Sequence, residues 1–179
     1  GMSSTYTTAQ ENGVKWGSAV HQVLKELVTG QKDMDFIIPL ILNQYQVSPG
    51  KAENMRELID NFIKSPLWER LNGAQQIFTE IPFTLKIDSM NPIYSLVRKK
   101  EDVPIILSGI IDLVFKEQDG WVVIDYKTGG AQVLSIADTR YEKQVLVYCR
   151  AWEQLIGERV KEGTLVHMSD TALHYIRVQ

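Results

Sequence analysis

The feature that most constrains this chain's fold lies between Gly109 and Gly129, where two apolar runs, Gly109 to Phe115 and Trp121 to Thr128, flank an Asp119-Gly120 dipeptide. Runs of β-branched and aromatic residues around Asp-Gly predict a β-hairpin with a two-residue turn. With Asp119-Gly120 as that turn, Gln118 pairs with Trp121, Asp112 with Lys127, and Val114 with Asp125. Successive side chains on a strand point to opposite faces. Asp112, Asp125 and Lys127 then share one face, and Ile111, Leu113, Phe115, Val122, Ile124 and Tyr126 share the other. A three-residue loop would change the parity and separate Asp112 from the other two. Charges set inside apolar strands require pairing or a bound cation, because an isolated buried charge is costly.

Two aspartates on adjacent strands supply hard oxygen ligands of the kind Mg²⁺ takes, with waters completing its shell. A bound divalent ion acidifies a water, polarises a phosphoryl oxygen and orients both reactants. A lysine beside it can steady the attacking water or the developing negative charge. The other reading of the same trio is a structural Asp–Lys pair across two strands, a common stabilising contact.

Asp112 followed by Asp125-Tyr126-Lys127 resembles the bipartite signature of the PD-(D/E)XK nuclease superfamily, with Ile111 where Pro stands in the signature's name. The longer phrase, Gly109-x-x-Asp112 with Ile124-Asp125-Tyr126-Lys127-Thr128, is similar to the nuclease domains of RecB- and AddA-type helicase–nucleases and to RecB-like exonucleases. Gly17-Ser-Ala-Val-His21 resembles the histidine motif of the same group. It lies on an early helix marked by Val14, Val20, Val23, Leu24, Leu27 and Val28, which Gly30 closes. Tyr141-Glu-Lys-Gln144-Val-Leu-Val-Tyr148 resembles the group's Gln-x-x-x-Tyr motif; its three named residues share a helix face by spacing. Glu80, in Phe78-Thr-Glu80-Ile-Pro82-Phe83, is a further candidate, because a glutamate on the first sheet strand is a frequent companion in these nucleases. Pro82 marks that strand as an edge or a bend.

The resemblance implies a role for each residue. Asp112 and Asp125 bind Mg²⁺ or Mn²⁺, joined by His21, by the backbone carbonyl of Tyr126, and with Glu80 as a further possible ligand. Lys127 completes the catalytic set with the two aspartates. Gln144, Tyr148 and Tyr141 contact DNA. It implies an α/β restriction-endonuclease-like core, a mixed central sheet flanked by helices, with an N-terminal helical region. The implied activity is metal-dependent deoxyribonuclease, exonucleolytic on a single strand at DNA ends. The implied setting is the exonuclease module of an ATP-dependent helicase–nuclease acting in double-strand-break repair and recombination. The partners are then DNA, a helicase domain of the same polypeptide and a second helicase–nuclease polypeptide. Two alternatives stay open: a free-standing RecB-like exonuclease of phage or mobile-element type, and an inert nucleic-acid-binding module of the same fold.

The 179 residues suffice for one domain with a real core. Residues 1–12 are polar and read as a disordered or tag-derived tail, and 13–179 as a single nuclease domain. A helical region covers about 14–71, broken near Gly30, Ser48-Pro49-Gly50 and Ser65-Pro66; within it Met55, Leu58, Ile59, Phe62 and Ile63 form an apolar stripe over 51–64. Strands are expected over 76–88, 93–98, 105–117 and 121–127, a helix over 138–157, and two last strands over 163–168 and 172–178. His167 and His174, on those last strands, read as structural or surface residues. A single cysteine, Cys149, excludes an internal disulfide and a cysteine-built zinc or iron–sulfur site. It reads as buried packing, and its solitude sets the chain apart from RecB-like nucleases with a four-cysteine iron–sulfur staple. The longest apolar run, Phe36 to Leu42, is too short for a bilayer. No secretory signal is read, and a cytoplasmic location is expected. The net charge of −3 argues against a strong independent DNA binder, although Arg98-Lys99-Lys100 forms a short basic patch on an expected loop. No phosphate-binding loop of the Gly-x-x-x-x-Gly-Lys-Ser/Thr type is present, so ATP dependence would have to come from sequence outside this chain.

Overall fold

The computed structural model describes residues 2–31, 33–97 and 102–179, and their side chains apart from 2–7 and 131–139. Arg98, Lys99 and Lys100 lie outside the described residues. The chain divides into two compact units, one of residues 1–72, 126–134 and 167–174, the other of 73–125, 135–166 and 175–179.

The first unit is mainly helical: α1 (Met2–Val28), α2 (Met34–Gln44), α3 (Ala52–Ile63) and α4 (Pro66–Asn72). α1 begins at Met2, upstream of the start near 14 that its apolar periodicity indicates, and residues 8–14 are exposed, as their polarity dictates. It stops where expected. Gly30 takes φ +108, its N–H donates to the Leu27 carbonyl and the Gln31 N–H to that of Glu26, the bond pair of a Schellman C-cap. The Asp33 carboxylate accepts the Phe36 N–H and starts α2; the Ser65 hydroxyl accepts from Trp68, with Pro66 heading α4. On α3 the stripe of Met55, Leu58, Ile59 and Phe62 is fully buried, each side chain contributing roughly 1.5–3 kcal/mol. Ile63, assigned to the same stripe by spacing, is 40% exposed.

Among the described residues the strands are β1 (Gln76–Ile87), β2 (Ile105–Glu117), β3 (Gly120–Thr128), β4 (Val160–Ser169) and β5 (Ala172–Arg177), lying in sheet order β1-β2-β3-β4-β5. β1–β2 and β2–β3 are antiparallel. β3 and β4 run parallel: the Trp121 N–H donates to the Arg159 carbonyl at their starts, and that of Gly129 to Met168 at their ends. Their connection is a long helix, the crossover that parallel neighbours require. Sheet and helices together make the mixed α/β core that a restriction-endonuclease-like fold calls for.

Two local expectations are corrected. Residues 93–97 of the strand expected over 93–98 do not form one; Tyr94–Val97 is a single helical turn, α5. The Asp88 side chain accepts the Met90 N–H, and the Asn91 side chain that of Ile93. These Asx turns, the second of which spans Pro92, override the strand propensity of Ile93 and Tyr94. In the hairpin, Glu117 pairs with Gly120 and Leu113 with Ile124. The turn is therefore Gln118-Asp119, one residue earlier than expected, and Val114 lies opposite Val123 rather than Asp125. Gly120 adopts φ +150 at the head of β3, a conformation that favours glycine. Lys161 holds the turn through the carboxylates of Asp119 and Glu117, the latter at 3.0 Å.

The long helix α6 (Ala131–Ile156) starts earlier than its apolar spacing suggests. In the second unit Val145, Tyr148, Cys149 and Trp152 join Phe83, Ile111, Val114, Trp121 and Val123 in one buried cluster. Cys149 is wholly buried, and burial pushes its thiol up to about 12, which fits inert packing. His167 is buried and stacks on exposed His174 at 6.0 Å.

Candidate active site

In the second unit the carboxylates stand where strand alternation breaks. A Cβ on Gly109 would lie 2.9 Å from the Phe83 ring and 3.1 Å from that of Tyr148, so Gly109 faces α6, and Ile111 joins the same cluster. Further along, Lys116 lies over the Trp121 ring, and Trp121 meets Trp152 of α6 at 5.1 Å. Val114 and Lys116 therefore face α6 as well. The faces slip by one residue between Ile111 and Val114, at Asp112. Ile111 and Leu113 do not share a face, contrary to the simple alternation read from sequence. β1 shows a matching irregularity: Glu80 has φ +48, and the β1–β2 register continues unchanged from Thr79–Leu113 to Ile81–Ile111 across it. Glu80 thus falls level with Asp112. No residue is inserted on either strand, so the register is kept while the faces slip.

The β2–β3 pairing ends at Leu113–Ile124, and continued by one residue it would set Asp112 level with Asp125 rather than Lys127. Asp125 is 2% exposed and Asp112 half-buried. Both act on one group: burial, then the charges of Asp125 and Asp112, push the Tyr148 hydroxyl up to about 12. Tyr148 therefore stays a neutral phenol. Gln144 donates to its oxygen at 3.0 Å and Phe83 packs edge-on at 5.7 Å. Tyr141, a turn earlier on α6, packs against the buried cluster.

In the first unit, His21 meets the end of β3. Its Nδ1 lies 2.8 Å from the Gly17 carbonyl and its Nε2 3.1 Å from the Tyr126 carbonyl. The ring stands edge-on to Tyr126 at 5.8 Å, and Phe62 also meets Tyr126 edge-on, at 6.3 Å. A neutral imidazole donates from one nitrogen only, so it donates to one of these two carbonyls at a time; an imidazolium donates to both. An N–H held by a backbone carbonyl is how a metal-binding histidine is usually oriented. Gly17 makes the approach possible, because a Cβ there would lie 2.8 Å from Thr128 Oγ1. Lys127, half-buried, follows Tyr126.

Among the described residues, no three His, Cys, Asp or Glu side chains lie close enough together to hold a metal ion by themselves. Mg²⁺ does not need such a cage; one or two carboxylates with waters and substrate oxygens are its usual shell. The paired aspartates fit it. Sequence reasoning missed the break at Glu80 and Asp112, which hydrophobic patterning does not mark, and the Gly17–Thr128 approach, whose only trace is the glycine four residues before His21.

Residues 4–179 match the family model of the PD-(D/E)XK nuclease superfamily. The chain belongs to that superfamily. Similar curated relatives are AddA-type polypeptides of ATP-dependent helicase/nucleases. That of Acetivibrio thermocellus is 34% identical over 82% of this chain and 12% of its own length. Its counterpart in Alkaliphilus metalliredigens is 30% identical over 83% of this chain and 13% of that protein. The one from Thermoanaerobacter sp. is 33% identical over 87% and 13%. This PD-(D/E)XK chain thus spans about an eighth of the relatives it matches, and resembles the AddA type of nuclease domain. Among the described residues no helix is long and apolar enough to cross a membrane.

Proposed function

We propose that this chain is a Mg²⁺- or Mn²⁺-dependent deoxyribonuclease module that removes nucleotides from a single strand at DNA ends. The observation that carries this reading is the place of Asp112 and Asp125, each next along its strand from the paired Leu113 and Ile124 that end the β2–β3 ladder, with Asp125 buried. Two carboxylates on adjacent strands are the hard oxygen donors that Mg²⁺ takes, with waters and substrate oxygens completing its shell. Asp112 and Asp125 would hold the ion, with waters completing the shell; His21, the Tyr126 carbonyl and Glu80 are further ligands on the strength of the family resemblance alone. When bound, the ion supplies an acidified water and neutralises charge on the phosphoryl oxygens. Lys127, two residues after Asp125 on β3, brings a positive charge to the attacking water and the developing phosphorane charge. Tyr148, kept neutral, offers a phenol proton to a phosphate oxygen while Gln144 fixes its ring, and Tyr141 lines the strand's path.

The helicase/nuclease character of the relatives supports a helicase region in the same polypeptide as the natural partner. The wider setting would be a complex with a second helicase–nuclease polypeptide, located in the cytoplasm and acting in break repair and recombination. Residues 13–179 would serve as one nuclease module.

Mn²⁺ titration by calorimetry, paired with cleavage of an end-labelled single strand, tests the reading. Asp125→Ala should lose both Mn²⁺ binding and cleavage. Lys127→Ala should keep Mn²⁺ binding and lose at least about a hundredfold in rate, both variants melting as the parent does. A parent chain that binds no Mn²⁺ at millimolar concentration would favour an inert nucleic-acid-binding module.

A further inference from the structure

The first unit contains a cavity of about 280 Å³ that none of the residues assigned above lines. Its aromatic wall is Trp16, half-buried on α1. Asn12 and Asn54 bring amide edges, and the exposed Lys51 a positive charge, with Asp170 also present. Gly129 and Gly130 border it without side chains, so a ligand can approach the backbone closely. An engineered cavity of roughly 150 Å³ accommodates benzene, so this one has room for a purine or a pyrimidine.

Its place matters. Trp16 precedes Gly17, the residue whose missing Cβ lets α1 approach Thr128, and Gly129-Gly130 directly follow Lys127-Thr128 on the chain. His21 lies five residues further along α1, about 7.5 Å along the axis. An aromatic side chain, two amides and a lysine, alongside one carboxylate, form a lining of the kind that receives an unstacked base and its phosphate in single-strand recognition.

We propose that this cavity is a nucleobase subsite, in which one base of a single strand stacks on Trp16 and Lys51 takes an adjoining phosphate. The proposal rests on the nucleic-acid substrate of the preceding reading and extends it with a specific contact.

Binding of a short fluorescent oligothymidylate, measured by anisotropy in EDTA so that nothing is cut, is compared with an abasic strand of the same length. Trp16→Leu should weaken oligothymidylate binding about tenfold, roughly 1.4 kcal/mol, and leave the abasic strand unaffected. Trp16→Phe should recover most of the loss, and Lys51→Ala should weaken both strands. In the parent chain, 2-aminopurine at the strand end should be quenched on binding, a readout independent of whether Trp16→Leu folds. Equal losses on both strands, no loss in a variant that melts normally, or unquenched 2-aminopurine would overturn the subsite. Parallel Mn²⁺-dependent cleavage by the parent separates the two ideas. Trp16-dependent binding without cleavage sinks the nuclease reading alone, and cleavage without Trp16-dependent binding sinks the subsite alone.

Discussion

At the scale of single residues, glycine decides how close the functional groups come. Gly17 is the clearest case, since a methyl there would sit 2.8 Å from the Thr128 hydroxyl. That oxygen belongs to a β-branched side chain with few rotamers to retreat into. Gly17→Ala should therefore push α1 away from the end of β3 and lengthen the gap between His21 and the Tyr126 carbonyl. Overpacking of this sort costs about 1–3 kcal/mol. Removing the obstructing hydroxyl with Thr128→Ala should restore most of it. Urea denaturation of the two single variants and the double variant forms a closed cycle; purely additive effects would mean that the two residues do not meet. Gly109 plays the corresponding part in the second unit, where its bare Cα admits the rings of Phe83 and Tyr148.

At the scale of elements, the break shared by β1 and β2 is the least ordinary feature. Glu80 holds φ +48 within a strand, which costs a non-glycine residue roughly 1–2 kcal/mol. Glu80→Gly should relieve that strain and raise the melting temperature, and cleavage should fall if the carboxylate serves the ion. A variant that melts at or below the parent would show that the strain is smaller than what the Glu80 side chain and the stiffer unfolded chain contribute. Much of the surrounding hairpin was legible in the sequence. Two apolar runs around a turn dipeptide mark β2 and β3, and charges inside them single out Asp112, Asp125 and Lys127. The turn moved one residue because Gly120 heads the strand rather than closing the loop. The slip at Asp112 left no trace because Ile111, Leu113 and Val114 are equally apolar whichever way they face, so their pattern carries no parity. The short helix at Tyr94 was hidden for a different reason: two Asx turns outweigh the β-propensity of its neighbours. Trp16 escaped notice because a lone aromatic on an amphipathic helix looks like core until a cavity beside it is seen.

At the scale of the whole molecule, charge sets how the chain can meet DNA. Nineteen lysines and arginines against twenty-two acids leave a net charge of −3, so long-range attraction for a polyanion is weak. Under the proposed function the strand is delivered by a motor outside this chain, and the module needs only local contacts where the strand is cut. Lys127 and Lys51 are the cations assigned to phosphate, which makes about two neutralised charges. For single strands the logarithm of affinity falls with the logarithm of salt at about −0.7 per neutralised phosphate. The slope should therefore be about −1.4, a loss of roughly sevenfold between 50 and 200 mM salt. A dedicated binder making six to ten such contacts to duplex DNA loses about 10³–10⁵ over the same range. Anisotropy titrations of oligothymidylate across that salt range, in EDTA, decide between them. A slope near −1.4 that flattens by about 0.7 in Lys51→Ala would support local contacts at an assigned lysine. A slope steeper than about −4 would mean that a broader basic surface grips the strand, with Arg98, Lys99 and Lys100 the first residues to substitute, and that this chain can hold DNA without a motor to feed it.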